Sequence, residues 1–219
     1  MVGFLDRDAD ALQESIRLFA PRAFALVADV RDEESVEGAF ADVRRQAGRL
    51  DALVNCAAVQ LVGRDTTAHE LDITAWNETI AVNLTGIFLC CKHGIRMMLD
   101  RGGAIVNCGS PTALRGMGGG FPAYSASKGG VHAFTRVLAA EYGRHQIRVN
   151  TLVPGATDTQ LTAALFADPQ VRAQIAGRTP LGRIAQPDDY VGMAVYLASD
   201  ESAYVTGAEF IVDGGRTIV

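Results

Sequence analysis

Lysine is nearly missing from this chain. Of its 20 basic side chains only two are lysines, Lys92 and Lys128, and the arginines are scattered rather than clustered. With a formal net charge of −5 there is no basic stripe to hold a nucleic acid. No run of 18 apolar residues suggests a membrane span. The N-terminus has no basic region followed by an apolar core, so no secretory signal is expected. The four cysteines, Cys56, Cys90, Cys91 and Cys108, show no Cys-x-x-Cys spacing and each lies in an apolar run. Buried free thiols in a reducing, cytoplasmic compartment are the expectation, with neither a disulfide framework nor a metal centre. His69, His93, His132 and His145 form no ligand pattern and read as surface or helix-packing residues.

What is present is the composition of one globular domain: 219 residues, 48% hydrophobic and 21% charged. No Pro- or Ser-rich linker divides the chain, and no internal repeat occurs. Short apolar runs read as strands at residues 1–5, 23–27, 53–58, 104–108, 147–153 and 208–212. Between them lie helical patterns over 9–19, 32–47, 74–99, 124–142 and 188–198, with two shorter helices in 159–176. Strands alternating with helices of ten or more residues predict a parallel sheet between two helix layers, an α/β/α arrangement.

The informative stretch is Tyr124-Ser125-Ala126-Ser127-Lys128. Four residues apart on a helix, Tyr124 and Lys128 share a face. A cation held beside a phenol favours the phenolate, which makes the pair a candidate general acid/base. Ser110 stands fourteen residues upstream of Tyr124, directly after the apolar run Ala104 to Cys108. Ligands in open α/β sheets bind at such strand ends, and a serine hydroxyl there can hydrogen-bond a substrate oxygen. In these residues the sequence resembles the short-chain dehydrogenase/reductase family from Met1 to Val219.

The resemblance implies a Rossmann-like doubly wound fold and hydride transfer between NAD(H) and a secondary alcohol or ketone. It makes Tyr124 the acid/base and Lys128 its partner and ribose ligand. Ser110 orients the reacting oxygen, and Asn83 supports a water-linked proton relay through its backbone carbonyl. Asn83 is conspicuous on its own, because Asn is a poor helix former and this one sits mid-helix. Asp6 closes the first strand, where a carboxylate can accept both adenosine ribose hydroxyls and repel a 2′-phosphate, which favours NAD over NADP. Asp29 and Val30 resemble the adenine contact. Asn55-Cys56-Ala57-Ala58 resembles the Asn-Asn-Ala-Gly segment, with Ala57 near the cofactor and Asn55 chiefly fastening the sheet. Pro154, Gly155, Thr157 and Thr159 resemble the segment that clamps the nicotinamide carboxamide. Tyr204 to Glu209 and Asp213-Gly214-Gly215 match the tail, which implies a homo-oligomer, a tetramer or a dimer.

One family element is absent. A Thr-Gly-x-x-x-Gly-x-Gly turn between a first strand and a helix normally lets the backbone approach the pyrophosphate. This sequence contains none, and Met1 to Asp6 corresponds to the second strand of the family. Gly116 to Gly120 follows the Ser110 loop and does not fit the role. The domain is therefore read as 1–219 without the first strand and helix, as if N-terminally truncated. Because that strand is central in the doubly wound order, its absence exposes two strand edges inside the sheet, unless the remaining strands close up or a partner fills the gap. The second expectation, from another functional class, is a cofactor-deficient subunit or inactive remnant that retains the fold. The lid, Leu161 to Arg178, is mostly small and apolar and points to a modest, uncharged substrate.

Overall fold

Strand β1 (Val2–Asp6) pairs in parallel with β2 (Ala23–Val27), and among the described residues neither bonds to any other strand. The second sheet runs β3 (Ala52–Asn55), β4 (Gly103–Cys108), β5 (Ile147–Pro154) and β6 (Glu209–Val212) in that order, again all parallel. The computed structural model describes residues 1–116 and 120–219. Between the strands lie α1 (Ala9–Arg17), α2 (Glu33–Ala47), α3 (Ile73–Ile80), α4 (Gly86–Met98), α5 (Pro122–Tyr142), α6 (Ala163–Phe166), α7 (Pro169–Gly177) and α8 (Val191–Ala198). The Rossmann-like α/β fold expected from the alternation is present. The sheet is interrupted between β1 and β3, and of the outcomes left open by the sequence the strands have not closed up.

Short acidic caps start four of these eight helices. Asp8, Asp32, Asp72 and Asp168 each accept backbone N–H groups of the following turn, satisfying donors that have no intrahelical partner. Helix α2 ends at Gly48, whose φ of 72° is the left-handed conformation that glycine adopts freely.

The two sheets share a helix layer. Leu5 of β1 and Leu53 of β3 both rest on the cluster of Val36, Phe40 and Val82. Lys92 of α4 is ion-paired with Glu33 of α2, which joins the helices across the interruption. On the far side of the larger sheet α8 covers Val106 and Leu152 with Leu197. On the near side Ile105, Ile147 and Val149 pack against Ile87, Cys91 and Met98 of α4 and Val131 of α5. Burying a side chain of that size stabilises the fold by about 1.5–3 kcal/mol. This core therefore fixes β4 and β5, the strands that carry the candidate site.

Two expectations need correction. The strand expected over 53–58 ends at Asn55, because the chain after it turns to meet Asn83: the Val59 N–H donates to Asn83 Oδ1 at 2.8 Å and its carbonyl accepts from Asn83 Nδ2 at 2.9 Å. The helix expected over 74–99 is not uniform. Residues Ala81–Thr85 form a π-helical turn centred on Asn83, so the poor helix former sits in a local widening of the helix.

Candidate active site

A cleft of about 1060 Å³ opens at the carboxyl ends of β3, β4 and β5. Its floor is made by Cys56, Cys108 and Pro154, and Ser110 and Tyr124 line it from β4 and α5. Leu161, Phe166 and Ile175 of the lid segment form the opposite wall. The site is thus at the strand ends where the parallel topology leaves a crevice.

Helix α5 carries Tyr124 in its first turn, and three features fix that turn. Pro122 stands in the first turn of the helix, where its missing N–H is not needed. The buried carboxylate of Asp65 accepts the N–H groups of Ala123 at 3.1 Å and Tyr124 at 2.9 Å, capping the helix from a distant loop. The Tyr124 carbonyl accepts from Ser127 Oγ at 2.7 Å, and that hydroxyl accepts from Asn83 Nδ2 at 3.2 Å. Asn83 therefore ties the loop after β3 to the turn that presents Tyr124. Its side chain is engaged in this way, and the relay expected of its backbone carbonyl would sit in the widened π turn.

Lys128 is buried, with 1% of its surface exposed, and its Nζ lies 5.7 Å from the centroid of the Tyr124 ring. The same Nζ donates to the Cys108 carbonyl at 2.7 Å, so the cation is held at the end of β4. Ser110 is buried at that strand end. Its Oγ lies 3.0 Å from Thr112 Oγ1 and accepts the Thr112 N–H at 3.3 Å, so the serine both caps a short turn and faces the cleft. The structure brings Ser110, Tyr124 and Lys128 together with Asn83 behind them.

The segment after β5 is equally ordered. Thr157 Oγ1 donates to the Gly155 carbonyl at 2.9 Å and lies 2.7 Å from Tyr190 Oη. The Thr159 N–H donates to Thr162 Oγ1 at 3.1 Å, so Thr159 begins the lid in a capping box. Gly155 is required by close packing, because a Cβ there would lie 2.7 Å from Asp213 Cα. Pro154, Gly155, Thr157 and Thr159 all line the cleft.

Other sequence-selected residues are placed elsewhere. Asn55 is buried in a polar chain across the sheet, donating to Asn107 Oδ1 at 2.8 Å, while Asn107 donates to Thr135 Oγ1 at 3.0 Å. It is the sheet fastener that was expected. Ala57 is exposed just past β3. Asp6, Asp29 and Val30 lie across the interruption, at the ends of β1 and β2, and do not line the cleft. Asp6 is exposed and accepts the Asp8 N–H at 3.0 Å. Asp29 is paired with Arg31 at 2.5 Å, and that hydrogen-bonded guanidinium holds its carboxyl down to about 2. The Val30 side chain is packed under Gly86, where a Cβ would come within 2.7 Å of it. The Gly116 to Gly120 run lies partly outside the described residues.

The expectation of four buried thiols is corrected: Cys90 and Cys91 are buried, but Cys56 is exposed and Cys108 half-buried, both in the cleft. Two contributors escaped the sequence reading. Asp65 and His132 act on Tyr124 and Ser110 through contacts 59 and 22 residues apart in sequence. No local pattern signals such contacts; only the fold creates them.

Of the residues the resemblance assigns to the nicotinamide half, Tyr124, Pro154, Gly155, Thr157 and Thr159 line the cleft. The turn from β1 into α1 is Asp6-Arg7-Asp8, and no glycine-rich strand-to-helix turn occurs in this sequence to approach a pyrophosphate. Among the described residues no helix is long and apolar enough to cross a membrane, and no cluster of three metal-ligating side chains is present.

Residues 2–217 match a family model described as Enoyl-(Acyl carrier protein) reductase. A cis-4-hydroxycyclohexanecarboxylate dehydrogenase of Sinomonas cyclohexanicum is 40% identical over 220 residues, covering all of this chain and 86% of that protein. A Xanthobacter autotrophicus protein named inactive 2-(S)-hydroxypropyl-CoM dehydrogenase 2 is 38% identical, covering 100% of this chain and 95% of that protein. The crystal structure of a gluconate 5-dehydrogenase from Burkholderia cenocepacia J2315 in complex with NADP and tartrate is similar with a TM-score of 0.91. It is 31% identical and is matched over 99% of this chain and 85% of that one.

Proposed function

The chain belongs to the short-chain dehydrogenase/reductase family, and from that premise we propose that it interconverts a secondary alcohol and a ketone with NAD(H) as hydride carrier. A bound nicotinamide would supply the hydride acceptor for the carbinol carbon, or the hydride donor in reduction. Tyr124 Oη accepts the alcohol proton as the carbon–oxygen double bond forms, and gives it back in reduction. Lys128, held on the Cys108 carbonyl, keeps a positive charge beneath that phenol. Ser110 steadies the substrate oxygen from the end of β4. Asn83 holds the two segments that carry this set in register. Pro154, Gly155, Thr157 and Thr159 would take the carboxamide edge, and Asn55 and Ala57 would back the ring. Asp6, with Asp29 and Val30, would take the adenosine, and the Asp6 carboxylate favours NAD over NADP. The active form is read as a homo-oligomer, on family resemblance.

The observation that carries this reading is that Ser110, at the end of β4, and Tyr124 of α5 line one cleft, with the buried Lys128 of the same helix set against the Tyr124 ring. Titration with NADH, followed by nicotinamide fluorescence, and turnover of Tyr124→Phe test it. Micromolar binding and a loss of about 10²–10⁴ in turnover are expected. Near-normal turnover of the variant would sink the mechanism.

The lack of a glycine-rich turn favours one second reading, a non-catalytic subunit, and the relative whose name calls it inactive lends it support. A chain that fails to bind NADH up to millimolar concentration yet co-assembles with a full-length relative would establish that reading instead.

A further inference from the structure

The wall of the cleft is electrically one-sided. Arg115, Arg178 and Arg216 line it, and among the described residues no aspartate or glutamate side chain does. The asymmetry is notable in a chain with 25 acidic and 20 basic side chains. Nearby arginines are spent on partners: Arg172 of the lid pairs with Asp158 at 2.5 Å, and Arg183 beyond it with Asp189 at 2.6 Å. Arg178 and Arg216 have no ion-pair partner among the described residues.

Arg115 arranges the cluster. Its Nη1 donates to the carbonyls of Arg216 at 3.2 Å and Thr217 at 2.9 Å and to a backbone oxygen of the last residue, Val219, at 2.8 Å, which fastens the last turn to the rim of the cleft. Arg216 is thereby half-buried beside two other guanidiniums. Burial depresses its pKa and the neighbouring Arg178 and Arg115 add to the effect, opposed by Asp213. The Asp213 carboxylate is itself engaged by the N–H groups of Gly215 at 2.9 Å and Thr217 at 2.7 Å. Crowded cations around a half-enclosed space are stabilised when an anion joins them, and a guanidinium fork matches a carboxylate in geometry.

We propose that the cleft takes a hydroxy acid or its oxo acid, with the carboxylate against Arg178 and Arg216 and the carbinol carbon facing Ser110 and Tyr124. The proposal rests on the hydride-transfer reading for which carbon reacts. It replaces the uncharged substrate that the lid sequence suggests: Leu161, Phe166 and Ile175 cover the hydrocarbon, and Arg178 at the end of the lid and Arg216 bind the charge.

The test is calorimetric titration of the full chain, with and without NAD, using cis-4-hydroxycyclohexanecarboxylate, the neutral 4-methylcyclohexanol and inorganic phosphate as probes. The acid is expected to bind at least about tenfold more tightly than the alcohol. Arg216→Gln and Arg178→Gln are each expected to weaken the acid by about tenfold and leave the alcohol unchanged. Arg178 is exposed, so its substitution keeps the test interpretable if Arg216→Gln fails to fold. Equal affinity for acid and alcohol, no binding of the acid, or variants that bind both like the parent would overturn the proposal. Phosphate binding as tight as the acid would also overturn it, since the cluster would then be a general anion site. Binding is read without turnover, so loss of hydride transfer and loss of this charge recognition are separate results.

Discussion

The backbone N–H of Ser110 donates to Nε2 of His132 at 3.3 Å. Nδ1 of the same buried ring lies 3.1 Å from Glu209 Oε1, which also accepts from Arg136 at 2.7 Å. Tyr124, Lys128 and His132 recur every four residues on one face of α5, so a single helix presents the phenol and the ammonium and also buttresses the serine. Gly109 completes the contact, because a Cβ there would lie 2.3 Å from His132 Nε2. The imidazole occupies the space that any other residue at 109 would need.

The first prediction concerns pH. The ring can accept from Ser110 only while Nε2 is unprotonated. Burial holds the His132 pKa below its ordinary 6.5, Arg136 and Lys128 push the same way, and Glu209 opposes them. The unfolded chain therefore binds this proton at a higher pH than the native chain. Stability is full above about 6.5 and falls as pH drops from there towards the native pKa. His132→Leu should remove that component of the slope and, by loosening the Ser110 loop, lower turnover by about tenfold. Urea unfolding of both proteins at a series of pH values checks this. Parallel stability curves would refute it.

Asn83 supports a second prediction. Its amide satisfies both backbone groups of Val59, so Asn83→Leu leaves a part-buried N–H and C=O unpaired and should cost about 2–4 kcal/mol. Asn83→Asp keeps the acceptor for the Val59 N–H but loses the donors to the Val59 carbonyl and Ser127, and should fall between. The measurement is the urea midpoint, with an unchanged m-value identifying a loss of stability rather than of compactness. Equal midpoints for Asn83→Leu and the parent would show that the loop finds other partners.

How much of this was legible in advance follows from where the causes lie. The strand and helix periods, the Tyr124–Lys128 spacing and the missing glycine turn are local, and the interruption between β1 and β3 is one of the outcomes they leave open. The π turn was signalled only indirectly, by an asparagine where a helix former was expected. Asp65 and His132 were not legible as site supports, because each acts through a contact with a residue distant in sequence. The arginine cluster was hidden for the same reason: Arg115, Arg178 and Arg216 come from three separate segments that only the fold brings to one wall. Cys56 was misread because its run looks like buried strand, whereas pairing stops one residue before it.

The last prediction concerns those thiols. The register that sets Asn55 beside Asn107 places Cys56 beside Cys108 just beyond, both facing the cleft. The neighbouring Cys56 thiol draws the Cys108 pKa down, with burial opposing and Lys128 assisting, while the same neighbour pushes Cys56 up. Cys108 is thus the more readily ionised of the pair. Cys90 and Cys91 lie inside α4, where burial is the leading cause that raises both, Cys90 to about 11. Since the thiolate is the reacting species, a small alkylating agent should label the Cys56–Cys108 pair in the native chain. Cys90 and Cys91 should react only on unfolding. Labelling should weaken as pH falls below the ordinary thiol range, but persist to lower pH than for an isolated thiol. Lys128→Met should shift that profile upward in pH by removing the assisting charge. Peptide mapping of the labelled sites across pH reads all three effects. Early labelling of Cys90 or Cys91, or a profile indifferent to Lys128, would show that the pair is not the activated one.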